Sequence, residues 1–144
     1  MIVLDANIFA KLFITEPDTD QALSLIKAIQ SHMTSVKLPG LFIYEVMQIG
    51  RYHQVHVDKV SALLKTQMLD YWEIINPSQY HWQTAQRISQ TGHEKSGYPT
   101  MYDSIYHAIA LEEKGVFITA DKKHLEKAKT FGHAIALSEW QTLF

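Results

Sequence analysis

Four carboxylates stand where a plain structural account of this chain is most strained. Asp5 directly follows the apolar run Ile2-Val3-Leu4, and Asp121 follows Val116-Phe117-Ile118-Thr119-Ala120. Either fits as the N-cap of a helix, one starting near Ala6 and the other covering Lys122 to Thr130. Asp103 closes Thr100-Met101-Tyr102-Asp103, which fits a capping box with Thr100 as N-cap. Glu45 resists such an account. It lies in Leu41-Phe42-Ile43-Tyr44-Glu45-Val46-Met47-Gln48-Ile49, with Leu41, Phe42, Val46 and Ile49 as its helical neighbours and no Lys or Arg within a turn. An ionised carboxylate buried without a partner costs several kcal/mol. Glu45 therefore needs a cation from elsewhere in the fold, or a polar cavity to face.

Capping and catalysis are compatible in one residue, and convergence is what would make these acids chemical. Two of them end apolar runs and two lie on helices able to lean over the same edge. Gathered there, each close pair repels by up to ~4 kcal/mol at an effective dielectric near 20. Protons or a divalent ion must relieve that. The sequence has no Cys, so all-oxygen ligands favour the hard cations Mg²⁺ or Mn²⁺ over zinc. A carboxylate-held ion with room for water suits hydrolysis of a phosphodiester, and needs no Ser, Cys or His nucleophile.

The elements that must position these acids follow from patterning. Ile2–Leu4, Thr34–Leu38, Trp72–Ile75, Val116–Thr119 and His133–Leu137 read as strands, unbroken apolar runs suiting a sheet covered on both faces. Between them, helical spacing covers a segment from Thr15 with Pro17 and Asp18 in its first turn, then Leu41–His53, Val57–Asp70, Tyr80–Gln90, Thr100–Lys114 and Asp121–Thr130. Strands separated by helical crossovers predict an α/β fold, a parallel sheet of about five strands with helices on both faces. Ligands in that architecture sit outside the carboxyl ends of the strands. Thr91–Pro99 reads as the one long loop, a common place for function.

With 144 residues, 47% of them hydrophobic, the chain is expected to form a single domain over 1–144. Only 6 Gly and 4 Pro argue against disordered or collagen-like classes. A formal charge of −2 argues against whole-surface capture of nucleic acid, though not against a local basic patch. Asp5 interrupts the first apolar run, so no signal peptide is expected, and Leu38–Ile49 is too short to span a bilayer. No membrane association and a cytoplasmic location are the expectation.

Ile2-Val3-Leu4-Asp5-Ala6-Asn7, Tyr44-Glu45-Val46, Tyr102-Asp103-Ser104-Ile105-Tyr106-His107-Ala108-Ile109-Ala110 and Phe117-Ile118-Thr119-Ala120-Asp121 together resemble the PIN-domain ribonucleases. The closest likeness is to VapC-type toxins of toxin–antitoxin modules. It covers nearly the whole chain, and the set of acids is specific only when taken together. The resemblance implies a PIN-like α/β/α sandwich and a Mg²⁺- or Mn²⁺-dependent endoribonuclease. Asp5, Glu45, Asp103 and Asp121 match the family's acidic metal-site positions, and Asn7 and Thr119 its polar supporting positions. It also implies an RNA substrate, a homodimer and silencing by a cognate VapB-like antitoxin.

Rival readings are a housekeeping PIN nuclease, an aspartate-based phosphohydrolase and an acidic peptide-binding module. Asn7 stands where a dehalogenase-like motif needs a second Asp, which weakens the phosphohydrolase. Lys122 and Lys123, next to Asp121, are candidates for holding RNA phosphates, with Lys11 and Arg51 weaker ones. His107, one turn beyond Asp103, either lines the site or makes a plain i,i+4 hydrogen bond. His53 and His56 read as surface residues. Trp72, Trp82, Trp140 and several Tyr read as core or dimer contacts rather than base-stacking platforms.

Overall fold

The computed structural model describes residues 1–92, 94–95 and 97–144; His93 and Ser96, inside the expected Thr91–Pro99 loop, lie outside the described residues. Five strands, β1 (Ile2–Leu4), β2 (Val36–Pro39), β3 (Trp72–Ile75), β4 (Val116–Thr119) and β5 (Ala134–Ala136), form one sheet in the order β3-β2-β1-β4-β5. Every pairing is parallel, and Leu4 lies opposite Ile118 in the β1–β4 register. Val3, Leu4 and Ile118 are wholly buried, as a sheet covered on both faces requires. Each such side chain contributes about 1.5–3 kcal/mol by leaving water.

Among the described residues, seven α-helices flank this sheet: α1 (Ala6–Ala10), α2 (Thr19–Ser31), α3 (Leu41–Tyr52), α4 (Val57–Gln67), α5 (Gln79–Ser89), α6 (Met101–Glu112) and α7 (Lys122–Ala128). The expected α/β architecture is the observed one. Helix α6 is buried continuously from Ser104 to Ala110 and packs on β1, β2 and β4, with α5 alongside it. A helix enclosed on nearly all sides is held by its environment more than by propensity. Its position under the centre of the sheet fixes where Asp103 and Tyr106 emerge.

The expected helix from Thr15 begins later, at Thr19. The intervening residues fold into a turn in which Thr19 Oγ1 accepts from the Glu16 amide, while Glu16 and Asp18 both reach the ammonium of Lys11. The fourth helix ends at Gln67 rather than Asp70, and β2 begins at Val36 rather than Thr34. Beyond β5 the chain finishes in 3-10 turns from Leu137 to Leu143, where the Glu139 carboxylate accepts from the Ala136 amide. Short 3-10 turns carry no 3.6-residue period, so nothing in the pattern announced them.

Strand order makes β1 the place where the chain changes direction across the sheet. From β1 the chain steps outward through β2 to β3, then returns to the other side of β1 as β4 before continuing to β5. The carboxyl ends of β1 and β4 therefore flank the switch point, the crevice where open α/β sheets take their ligands.

Candidate active site

Asp5 and Thr119 are the residues that end the two switch-point strands, and they bond to one another. The Thr119 hydroxyl donates to Asp5 Oδ2 and accepts from the Asp121 backbone N–H at 2.9 Å. One buried hydroxyl thus fixes the first acid and orients the loop that carries another. Asp5 also does its expected capping: its Oδ1 accepts from the Asn7 N–H at 3.2 Å, and Asn7 Nδ2 donates to Oδ2 at 3.1 Å. Asp121 caps α7, accepting from the amides of Lys123 and His124 at 2.9 and 3.1 Å. Both caps use only part of the carboxylate's acceptor capacity.

Helices α3 and α6 bring the other two acids. Thr100 Oγ1 accepts from the Asp103 N–H at 3.1 Å, so Asp103 sits in the first turn of α6. Glu45, half-buried, finds no basic partner among the described residues; the Tyr106 hydroxyl donates to its Oε2. Tyr106 was missed as a functional residue. The signal was available in its place three residues beyond Asp103 on one helix face, and in the need of Glu45 for a donor.

The electrostatics show that the acids share one field. Burial pushes the Asp5 carboxyl up to about 7, against the lowering effect of Thr119 and Asn7, and Asp103 and Glu45 push it further in the same direction. Glu45 is raised by burial and by Asp103, although the Tyr106 hydrogen bond pulls it down. Asp103 is raised by burial and by Asp121, with its Thr100 hydrogen bond opposing. Glu45 is therefore neither remote from the other acids nor directed into bulk solvent.

The donor set fits a hard cation: carboxylates, the Thr119 hydroxyl and the Asn7 amide. Asn7 Oδ1 is buried with no hydrogen-bond partner among the described residues, an oxygen lone pair left over at the site. Among those residues, however, no three acidic or histidine side chains close around a single point. The expected four-carboxylate cage is thus a set of converging acids rather than a finished shell. Mg²⁺ is commonly held by one or two carboxylates with several waters, and this arrangement suits that habit.

The basic candidates divide sharply. Lys122 and Lys123 are exposed at the start of α7 beside Asp121, and Arg51 is exposed on the last turn of α3. Lys11 is only 4% exposed, its ammonium engaged by Glu16 and by Asp18 at 2.7 Å, so it is not free to hold a phosphate. Burial opposes its charge, and these two acids more than offset that. It lines a cleft of about 550 Å³ with Thr119 and Lys122 at the ends of β4 and β5.

His107 neither lines the crevice nor bonds to Asp103. It is fully buried, contacting the Gly132 carbonyl at 2.6 Å and His124 Nε2 at 3.1 Å, beneath Phe117. His53 and His56 are exposed, as expected. Trp72 is in the core, but Trp82, Tyr44 and Tyr102 are exposed and not part of it.

The acids thus gather at the switch point of a parallel five-stranded sheet, where open α/β folds take their ligands. The PIN domain model matches residues 2–130, and the chain belongs to the PIN-domain family. PIN domains are in general nucleases and typically use divalent metals. No curated protein matches the sequence. Among solved structures, FitAcB from Neisseria gonorrhoeae is similar at 15% identity, covering 96% of this chain and 99% of that one with a TM-score of 0.69. PAE2754 from Pyrobaculum aerophilum is similar at 19% identity, covering 99% and 94% with a TM-score of 0.62. At these identities the likeness is one of fold. No helix among the described residues is long and apolar enough to cross a membrane.

Proposed function

We propose that this chain is a Mg²⁺- or Mn²⁺-dependent endoribonuclease of the VapC type, the toxin of a toxin–antitoxin pair. In this reading a single domain over 1–144 pairs as a homodimer, acts in the cytoplasm and is silenced by a VapB-like antitoxin. The observation that carries it is the shared field of Asp5, Glu45 and Asp103, acids whose ionisation is opposed by burial and by one another at the sheet's switch point. A protein gains nothing in stability from that arrangement.

When bound, the divalent ion supplies a water acidic enough to give hydroxide near neutral pH, and charge to stabilise the leaving oxygen. The chain's own residues prepare for it. Thr119 and Asn7 lock the Asp5 carboxylate in one orientation, which lowers the entropy lost on binding. Glu45, with Tyr106 donating to one of its oxygens, would keep the other for the ion. Asp103 and Asp121 complete the acidic wall, and the exposed Lys122 and Lys123 are placed to hold phosphates at its rim.

Incubation of RNA with the protein, with and without EDTA, followed by analysis of the product ends, tests this reading. Metal-dependent cuts bearing 5′-phosphates are expected; cuts that survive EDTA and end in cyclic phosphates would contradict it. Induced expression should arrest growth with the wild-type chain and not with Asp5→Asn, which separates a toxin from a housekeeping nuclease.

A further inference from the structure

Over the carboxyl ends of β2 and β3, next to the acids, lies a second cleft of about 490 Å³. Its walls come from three helices and a loop: Tyr44 from α3, Trp82 from α5, Tyr102 from α6 and Asn76 after β3. Tyr44 is 78% exposed, Tyr102 64% and Trp82 44%. Such large aromatic surfaces left in water on converging elements mark a binding face. Tyr44 and Tyr102 are the immediate chain neighbours of Glu45 and Asp103. None of the acids lines the cleft, but Pro39 at the end of β2 does, and β2 neighbours the β1 strand that Asp5 follows, so both lie on the same carboxyl edge of the sheet.

We propose that this cleft is a nucleobase subsite, in which an unpaired base beside the scissile phosphate of single-stranded RNA stacks on Trp82, with Tyr44 and Tyr102 walling the cleft. The inference deepens the nuclease reading and rests on it for the identity of the strand. Its substrate class follows from the chemistry: a base within a duplex has both faces covered, so only an unpaired one offers a face to these rings. No charged side chain lines the cleft among the described residues, which suits a neutral base better than an acidic or basic peptide. The Asn76 amide supplies a donor and an acceptor for a base edge at the wall. On the other flank, Lys122 stands over the ends of β4 and β5, so the strand has a phosphate contact beyond the acids.

Stacking on a platform predicts a dependence on the base rather than on the backbone. The test uses short single-stranded oligoribonucleotides, each with one abasic nucleotide at a successive position, cleaved by the wild-type chain and by Trp82→Ala. On the intact oligonucleotide Trp82→Ala should raise KM about tenfold with kcat nearly unchanged, and Trp82→Phe should restore it. At one abasic position the wild type should show the same loss, and Trp82→Ala no further loss there. Losses that multiply at every position, or an unchanged KM, would overturn the subsite. A change in sedimentation from dimer to monomer in Trp82→Ala, with equal losses on all oligonucleotides, would also overturn it and give the cleft to a second copy of the chain. Binding of the same labelled oligonucleotides to Asp103→Asn, followed by fluorescence anisotropy, keeps the two readings apart. The non-multiplying pattern in binding alone supports the subsite even where no cleavage occurs; cleavage without that pattern removes the subsite and leaves the nuclease.

Discussion

Helix α6 carries two groups of buried ionisable side chains one turn apart, and they are built to opposite ends. At its mouth Asp103 shares a field with Glu45, Asp5 and Asp121, and each resolved shift among them runs toward the protonated form. A turn deeper, His107 is pushed down to about 4 by burial and stays neutral. Its Nε2–H donates to the Gly132 carbonyl, which leaves Nδ1 to accept from His124 Nε2–H; Phe117 and Phe131 lie against the ring. Burial settles the ionisation of the histidine pair on the neutral side, although His124 Nδ1 is left without a hydrogen-bond partner among the described residues. The acids are not settled in this way, and a buried site with unsettled charge is one prepared for a ligand.

The sharpest way to break this contrast is to neutralise one member of each group. Asp5→Asn or Asp103→Asn should lower RNA cleavage by more than about a hundredfold without lowering the metal-free melting temperature, because each removes repulsion along with a ligand. His107→Gln should do the reverse, losing stability by about 1–3 kcal/mol through an unsatisfied or mispacked buried group and sparing kcat. An Asp5→Asn protein that still cleaves at full rate would erase the distinction.

The pH dependence of metal-free stability separates the groups by sign. Asp5 has a folded pKa of about 7 against an ordinary 3.8, so its contribution is present at low pH and is lost as pH rises through that window, about 4 kcal/mol in all. His107 runs from an ordinary 6.5 down to about 4 in the fold, so its contribution is full above 6.5 and is lost as pH falls toward 4, about 3 kcal/mol. The two slopes oppose each other in the wild-type chain. Because Glu45 and Asp103 run in the same sense as Asp5, Asp5→Asn should tilt the urea-unfolding stability curve between pH 4 and 6.5 toward a gain relative to the wild type, and His107→Gln should tilt it toward a loss. Parallel curves for both variants would show that the shifts are misassigned.

Smaller effects sharpen the boundary of the site. Thr119→Val removes the hydroxyl that ties Asp5 to the Asp121 loop and should cost about 10- to 100-fold in metal affinity or activity, read from metal titrations of cleavage. Lys122→Ala and Lys123→Ala should each weaken RNA binding similarly across sequences and reduce the salt slope by about one, measured by binding at graded ionic strength.

The difference between the two groups also marks how far the sequence could be read. The acids were legible because apolar strands end abruptly at Asp5 and near Asp121, and because Glu45 has no place in an apolar segment. His107 was not, since i,i+4 spacing reports a shared face but not its depth. One turn along α6 carries the chain from the crevice to a wholly buried contact with β4 and α7, which only the tertiary fold reveals. Lys11 failed for a related reason: its partners lie across a turn that replaces the expected first turn of α2. Hydrophobic type alone does not distinguish a core ring such as Trp72 from an exposed one such as Trp82, Tyr44 or Tyr102.

Thermal unfolding at pH 7.5 with graded Mg²⁺ or Mn²⁺ measures the acidic crevice itself, independently of any RNA. Saturating metal should raise the wild-type melting temperature by on the order of 5–10 °C and leave Asp5→Asn and Glu45→Gln nearly unmoved. A wild-type transition that stays in place at millimolar metal would mean that these acids do not gather a divalent ion.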